Sequence, residues 1–169
     1  MVITLCVVFL SALLIGFLGK LIPKSMYGVV SIIPLGVFIF FLGFLSQISS
    51  SETVLESHSW VPSLNVQLDF YLDGLSLLFA LIISGIGFLV FFYTGRYLKN
   101  HPYLHRFYSY LIVFMGSMLG LVLADNLILL FIFWELTSIS SFFLIGFNNE
   151  DNRSRKSALI ALAITAIGG

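Results

Sequence analysis

The chain has 169 residues, 59% of them hydrophobic and only 9% charged, and its eight basic and eight acidic residues cancel to zero net charge. A water-soluble domain usually carries about 25% charged residues, so this composition cannot coat a globule in water and reads as an integral membrane protein. It offers no basic patch with interleaved aromatics for a nucleic acid, and its single cysteine, Cys6, closes no disulfide within the chain.

The first apolar segment runs from about Val2 to Leu18. No Lys or Arg precedes it, as a cleaved signal peptide requires, so it is expected to remain as a first membrane helix. Lys20, Pro23 and Lys24 follow, with Pro23 marking a break. The second segment, about Tyr27 to Ile48, contains Pro34, which is expected to kink it. Ser49 to Gly74 is the one long polar connection and carries Glu52, Glu56, Asp69 and Asp73 without a basic residue. Within it Leu64, Val66, Leu68, Phe70 and Leu72 alternate with Asn65, Gln67, Asp69, Tyr71 and Asp73. That period of two predicts a half-buried strand or hairpin on the membrane surface, with Trp60 suited to the interface.

The third segment, about Leu75 to Gly95, has Asp73 placed to cap its first turn by accepting from the Ser76 amide. Ser84, Gly85 and Gly87 give it small residues for close packing. Arg96, Lys99, His101, His105 and Arg106 form the next loop, and the fourth segment, about Phe107 to Ala124, contains the small-xxx-small pair Gly116 and Gly120. Asp125-Asn126 makes a tight turn, so the fourth and fifth segments are expected to be antiparallel neighbours. The fifth, Asn126 to Phe147, carries Glu135, and the charged loop Asn148 to Lys156 follows. From Ser157 to Gly169 a sixth helix would cover about 20 Å, short of a roughly 30 Å hydrocarbon core. The expected fold is all-α, a polytopic transmembrane bundle of five complete helices and the start of a sixth, with the surface strand or hairpin between helices two and three. The expectation is also that residues 1–169 are a single membrane domain, the N-terminal part of a longer protein.

The basic residues all follow odd-numbered segments: Lys20 and Lys24 after the first, Arg96, Lys99 and Arg106 after the third, Arg153, Arg155 and Lys156 after the fifth. The positive-inside rule then places loops 19–26, 96–106 and 148–156 in the cytoplasm and the N-terminus outside.

Glu135 is the only charge between Asn126 and Phe147. An ionisable group at the centre of a spanning helix costs about 2.5 to 3.5 kcal/mol on insertion scales, so the first reading is a working group on an ion or proton path. The other is a neutral acid bonded to a neighbouring helix. A carboxyl away from water prefers its neutral form, and a nearby cation favours the charged one; no intramembrane Lys or Arg exists in this chain to act as that cation. Thr137, Ser138, Ser140 and Ser141 spread over one broad side of the helix and flank Glu135, while Ile132, Leu136, Ile139 and Phe143 gather opposite. Thr137, Ser138 and Ser141 are candidate accessory polar residues, although packing and back-bonding to the preceding turn account for such hydroxyls as well.

Other candidates carry less. His101 and His105 are four apart, but Pro102 argues against a formed helix between them, so a solvated loop is expected rather than a metal pair. Asp69 and Asp73 share one face of an extended stretch, where capping and solubility explain them; Asp125 reads as a turn and cap residue. No nucleophile triad, phosphate loop or dinucleotide glycine pattern appears, so neither an enzyme nor a cofactor is expected.

Four stretches carry a family resemblance. The run from Phe133 to Ile145 resembles the fifth helix of the large A-type subunit of the Mrp-type multisubunit sodium/proton antiporters. The run from Leu68 to Ala80 resembles the entry to helix three of the same protein, and Phe114 to Gly120 and Ala124 to Leu127 are similar as well. The superfamily includes the antiporter-like subunits of complex I and of membrane-bound hydrogenases. Residues 60–110 resemble the N-terminal region of complex I chain 5, and 125–169 the start of the proton-conducting transporter domain. The resemblance implies a prokaryotic plasma-membrane subunit, with other antiporter subunits as partners, that exchanges cytoplasmic Na+ for external H+. It implies that Glu135 is the fifth-helix glutamate, which pairs with a lysine on helix seven. That lysine is absent here, and Ser157-Ala158-Leu159-Ile160 stands where the family has Gly-Ala-x-Lys. The alternatives are a proton-pumping subunit of a complex I-like NADH dehydrogenase or hydrogenase, or a fragment without function.

Overall fold

The computed structural model describes residues 1–21, 24–50, 52–61, 66–98, 101–148 and 150–168. Pro23, Leu64, Asn65 and Lys99, and the side chain of Lys24, lie outside the described residues. In chain order the elements are α1 (Val2–Leu18), α2 (Ile32–Leu42), α3 (Leu45–Ser49), β1 (Val54–Val61), β2 (Val66–Leu72), α4 (Gly74–Tyr97), α5 (Leu104–Leu123), α6 (Leu127–Ile145) and α7 (Asn152–Gly168). Two 3-10 stretches, Gly19–Leu21 and Lys24–Ser31, join α1 to α2. Among the described residues five segments are long and apolar enough to cross a membrane: Val2–Leu21, Gly28–Ser49, Gly74–Tyr97, Leu104–Leu123 and Leu127–Ile145. The chain is a multi-pass helical membrane protein with one small antiparallel sheet, as its sequence predicts.

Helix α5 is the centre of the bundle. It packs against α1, α4 and α6; α2 packs on α4 and α7 on α6. Its sequence accounts for that position, because Tyr108, Ile112, Met115, Leu119 and Leu123 recur at helical spacing and are all buried. Gly116 and Gly120 remove side chains where two different neighbours approach. A Cβ on Gly116 would lie 2.9 Å from Val8 Cγ1 of α1, and one on Gly120 would lie 2.6 Å from Phe133 Cγ of α6. Hydroxyls tie the same helix sideways: Ser109 donates to the Ala12 carbonyl of α1 at 2.8 Å and Tyr108 to the Phe91 carbonyl of α4 at 2.9 Å. Such interhelical bonds contribute about 0.6 kcal/mol each in a membrane.

Within the second segment the 3-10 stretch gives way to α2 at Ile32, just before Pro34. Pro34 falls in the first turn of α2, where a missing amide has no intrahelical partner to lose. The α-helical pattern is also interrupted at Gly43, and α3 resumes at Leu45. The sixth helix starts at Asn152, upstream of Ser157, with the Arg153 amide donating to Asp151 Oδ1 at 2.9 Å.

Strands β1 and β2 pair antiparallel, with Val54 opposite Leu72 and Ser59 opposite Gln67. Phe70 and Leu72 are the buried residues of the alternating pattern. The hairpin is pinned at two points. Glu56 accepts from the Met1 ammonium and, at 3.4 Å, from the Val2 amide. Burial raises the Glu56 carboxyl, but the hydrogen bond and charge of that ammonium outweigh it and hold the group below the usual carboxylate range. On the other side the Asp125 amide donates to the Asp69 carbonyl at 2.9 Å, and Phe70 forms a bridge with Ala124.

Candidate functional site

Glu135 sits at the middle of α6, a helix of 19 residues. The inward side of that helix is marked by Leu129, Phe133 and Ser140, all buried. Phe133 enters the gap left by Gly120 and lies between Phe9 and Phe70, with ring centroids 6.4 and 6.2 Å away. Two residues on from Phe133, at about 100° per residue, Glu135 falls on the far side of the helix. It is half-buried, and its neighbours one turn away on that side, Phe131 and Ile139, are 52% and 45% exposed. Among the described residues Glu135 makes no hydrogen bond and no ion pair. The chain therefore presents a mid-helix carboxyl on a partly covered side of α6, with Ser138 buried one turn on and Phe131 and Ile139 exposed beside it.

The hydroxyls near it are already engaged. Thr137 donates to the Phe133 carbonyl at 2.8 Å, Ser138 to Trp134 at 3.2 Å, Ser140 to Leu136 at 2.7 Å and Ser141 to Ser138 at 2.9 Å. Each proton goes to the preceding turn, so none of the four donates to Glu135. Their oxygens keep lone pairs and can accept from a protonated carboxyl or from water. Ser138 and Ser140 are buried, while Thr137 and Ser141 are half-buried. The set expected opposite falls instead nearer to Glu135 than most of the hydroxyls do, Ile139 being one turn from it; Leu136 packs on the core, and Ile139 and Phe143 are exposed.

The remaining candidates separate into structural roles. Asp73 closes a capping box: the Ser76 amide donates to Asp73 Oδ1 at 2.8 Å and the Asp73 amide to Ser76 Oγ at 2.8 Å. The Ser76 amide is the main reason that the Asp73 carboxyl lies below its ordinary range. Asp69 accepts from Ser57 Oγ and, at 3.1 Å, from Asn126 Nδ2. The two acids thus serve different elements. Asp125 is not the cap of α6. Asn126 is, with Oδ1 accepting from the Leu129 amide at 2.9 Å while Nδ2 also donates to the Gln67 carbonyl at 2.9 Å. The signal for this was present in the sequence, an Asn immediately before an apolar helical run. His105 is not in a solvated loop: it is buried in the first turn of α5, within electrostatic reach of Lys20 and Arg106. His101 lies apart, its ring 4.8 Å from that of Phe147 and its Nδ1 accepting from the Tyr103 amide at 3.2 Å.

Residues 60–108 match the family model for the N-terminus of chain 5 of NADH-ubiquinone oxidoreductase (complex I), and residues 124–169 the transmembrane model of the NADH:quinone oxidoreductase/Mrp antiporter family. The chain is 48% identical, over 94% of its length, to a Na(+)/H(+) antiporter subunit A1 of Staphylococcus haemolyticus, and covers 20% of that protein. Over 81% of its length it is 48% identical to a subunit A1 of Staphylococcus aureus, covering 17%. It thus spans about a fifth of the length of the curated relatives it matches. A chain of the Mrp complex from Dietzia superposes with a TM-score of 0.84 at 30% identity, over 99% of this chain and 18% of that one. A chain of the membrane-bound sulfane sulfur reductase, an archaeal respiratory membrane complex, superposes at 0.77 with 18% identity, over 99% and 34%, and shares the fold.

Proposed function

Because the chain belongs to the membrane-subunit family shared by Mrp antiporters and complex I, we propose that it forms the N-terminal membrane part of the large subunit of a multisubunit cation/proton antiporter, a transporter and not an enzyme. In this reading the complex lies in a prokaryotic plasma membrane and exchanges cytoplasmic Na+ for external H+, with Glu135 carrying the proton. The observation that supports it is the mid-helix carboxyl of Glu135, half-buried and without a hydrogen-bond or ion-pair partner among the described residues. A carboxyl among apolar side chains holds its proton, and a cation brought alongside releases it. Alternation between those two conditions moves a proton through the site. The cation comes from another helix or subunit, since the Lys and Arg of this chain lie in its connections or in the end turns of its helices, away from the middle of α6. Thr137, Ser138 and Ser141 are accessory: they accept hydrogen bonds from water or from the protonated carboxyl. The N-terminus and the hairpin face outward and the basic connections 19–26, 96–106 and 148–156 face the cytoplasm, a polarity supported by the absence of Lys and Arg from the other connections.

The complex I family matches favour a second reading, a proton-pumping membrane subunit of an NADH dehydrogenase or hydrogenase in which Glu135 has the same task. Neighbouring reading frames separate the two: small antiporter subunits in one case, flavin or iron–sulfur subunits in the other. The test of the site itself is Glu135→Gln in the complete protein, measured as sodium-induced dissipation of a pH gradient in everted vesicles. Exchange is expected to disappear while the complex still assembles; exchange at the wild-type rate overturns the assignment.

A further inference from the structure

At the basic end of the bundle the ends of α5, α6 and α7 enclose a cavity of about 590 Å³ that the proton path does not use. That volume is in the range of small-molecule sites, about 300 to 1,000 Å³. Its polar wall holds Arg106, Tyr110, Glu150 and Arg155; its apolar wall includes Phe143 and Leu159. Arg106 is fixed by donating from Nη2 to the Tyr110 hydroxyl at 3.2 Å, which leaves most of its N–H donors unused. Among the described residues neither arginine makes an ion pair, and with Glu150 on the same wall the cavity keeps one net positive charge. The Tyr110 ring stacks on Phe143 with centroids 5.0 Å apart, so the cationic wall passes directly into an apolar one. Phe143, on the apolar span Leu127–Ile145, and Leu159, on α7, are 42% and 59% exposed.

A pocket that grades from guanidinium to aliphatic over one ligand length, at the end of a membrane bundle, matches an amphiphile with an anionic head. Arginine suits phosphate through paired N–H donors, and basic pockets between membrane helices hold anionic headgroups. We propose that this cavity binds an anionic phospholipid, with Arg106 and Arg155 on the phosphate and the acyl chains along Phe143 and Leu159. A free phosphate would leave the apolar wall unused and meet Glu150 with its extra charge. The inference rests on membrane insertion and on the Phe143 end of α6 staying open to lipid beside whatever covers Glu135; it does not depend on what that site transports.

The complete protein is extracted in mild detergent, delipidated and titrated with phosphatidylglycerol, phosphatidylcholine or inorganic phosphate, with adducts read by native mass spectrometry. Phosphatidylglycerol is expected to bind selectively, phosphate not to displace it, and Arg106→Gln with Arg155→Gln to weaken it about tenfold or more. Arg153→Gln, which removes a charge from outside the cavity wall, is expected to leave binding unchanged. Should the double variant fail to fold, Arg155→Gln alone, on an exposed first turn, carries the same expectation at about fivefold. Equal binding of phosphatidylcholine, displacement by phosphate, or an equal loss with Arg153→Gln overturns the proposal.

Discussion

Gly120 offers the sharpest test of how the bundle holds Glu135 in place. In Gly120→Ala the new Cβ would stand 2.6 Å from Phe133 Cγ, and closer still to Cδ1 and Cε1, against ordinary contacts of 3.4 Å or more. The ring cannot swing clear, because the contact reaches its root and Phe9 and Phe70 flank it. Either α6 moves away from α5 or Phe133 leaves its rotamer, and overpacking of this kind costs about 1–3 kcal/mol. Alanine also gains up to about 1 kcal/mol of helix propensity, so the comparison is with Gly36→Ala, a helical glycine with nothing within 4 Å of its added Cβ. Unfolding in mixed micelles, followed by the fluorescence of Trp134 beside Phe133, should place the folded-to-unfolded ratio of Gly120→Ala about 5- to 150-fold below that of Gly36→Ala. In a Phe133→Leu background, where the ring is gone, most of that difference should vanish. Equal stability of the two alanine variants, or a penalty that persists without the ring, refutes the reasoning.

Loss of the Asp73 capping box in Asp73→Ala is expected to cost about 0.5–2 kcal/mol, read from the same unfolding curves, with Asp73→Asn closer to wild type. The folded-state carboxyl lies below its ordinary range because the Ser76 amide bonds the charged form. Its contribution is therefore complete above the ordinary carboxylate value and is lost as pH falls through the lowered one. Below about pH 4 the wild type should approach the stability of the alanine variant, while Asp73→Asn shows no such pH dependence at this site. Asn126→Ala removes the α6 cap and both bonds to β2. A loss of about 0.5–2 kcal/mol is expected, with faster amide exchange at Asp125 and through 66–72 than in α5; unchanged exchange there would show that the turn does not hold the hairpin.

The apolar segments were legible because their length and hydropathy are decided by the bilayer and not by neighbours, and Asp73 because a cap is a local matter. What escaped depended on contacts remote in sequence. Strand β1 carries Glu56, Ser57, His58 and Ser59 without apolar alternation, since it is held by the ladder to β2 and by Met1, not by a buried face of its own. His105 looked like part of a basic loop, yet tertiary packing extends α5 over it and buries it. The exchange of roles between Asp125 and Asn126 follows from β2, whose Asp69 carbonyl takes the Asp125 amide and leaves the side chain of Asn126 to the helix. The choice of Glu135 needed only its charge. The direction it faces did not follow from the hydroxyl count, because those hydroxyls turn their protons to their own backbone.

That direction is set by the other side of the helix. Phe133 and Glu135 are two residues apart and hence nearly opposite on α6, so whatever fixes the rotation of Phe133 also aims Glu135. The lock is the missing side chain of Gly120, with Phe9 from α1 and Phe70 from β2 closing the remaining sides of the ring. Three separate elements thus hold one ring, and the cap at Asn126 fixes the start of the same helix against the hairpin. In the proposed reading the Glu135 carboxyl meets a cation outside this chain, which needs a defined azimuth but no partner within it. An aromatic key on the buried face supplies the azimuth and leaves the carboxyl unpaired for the contact.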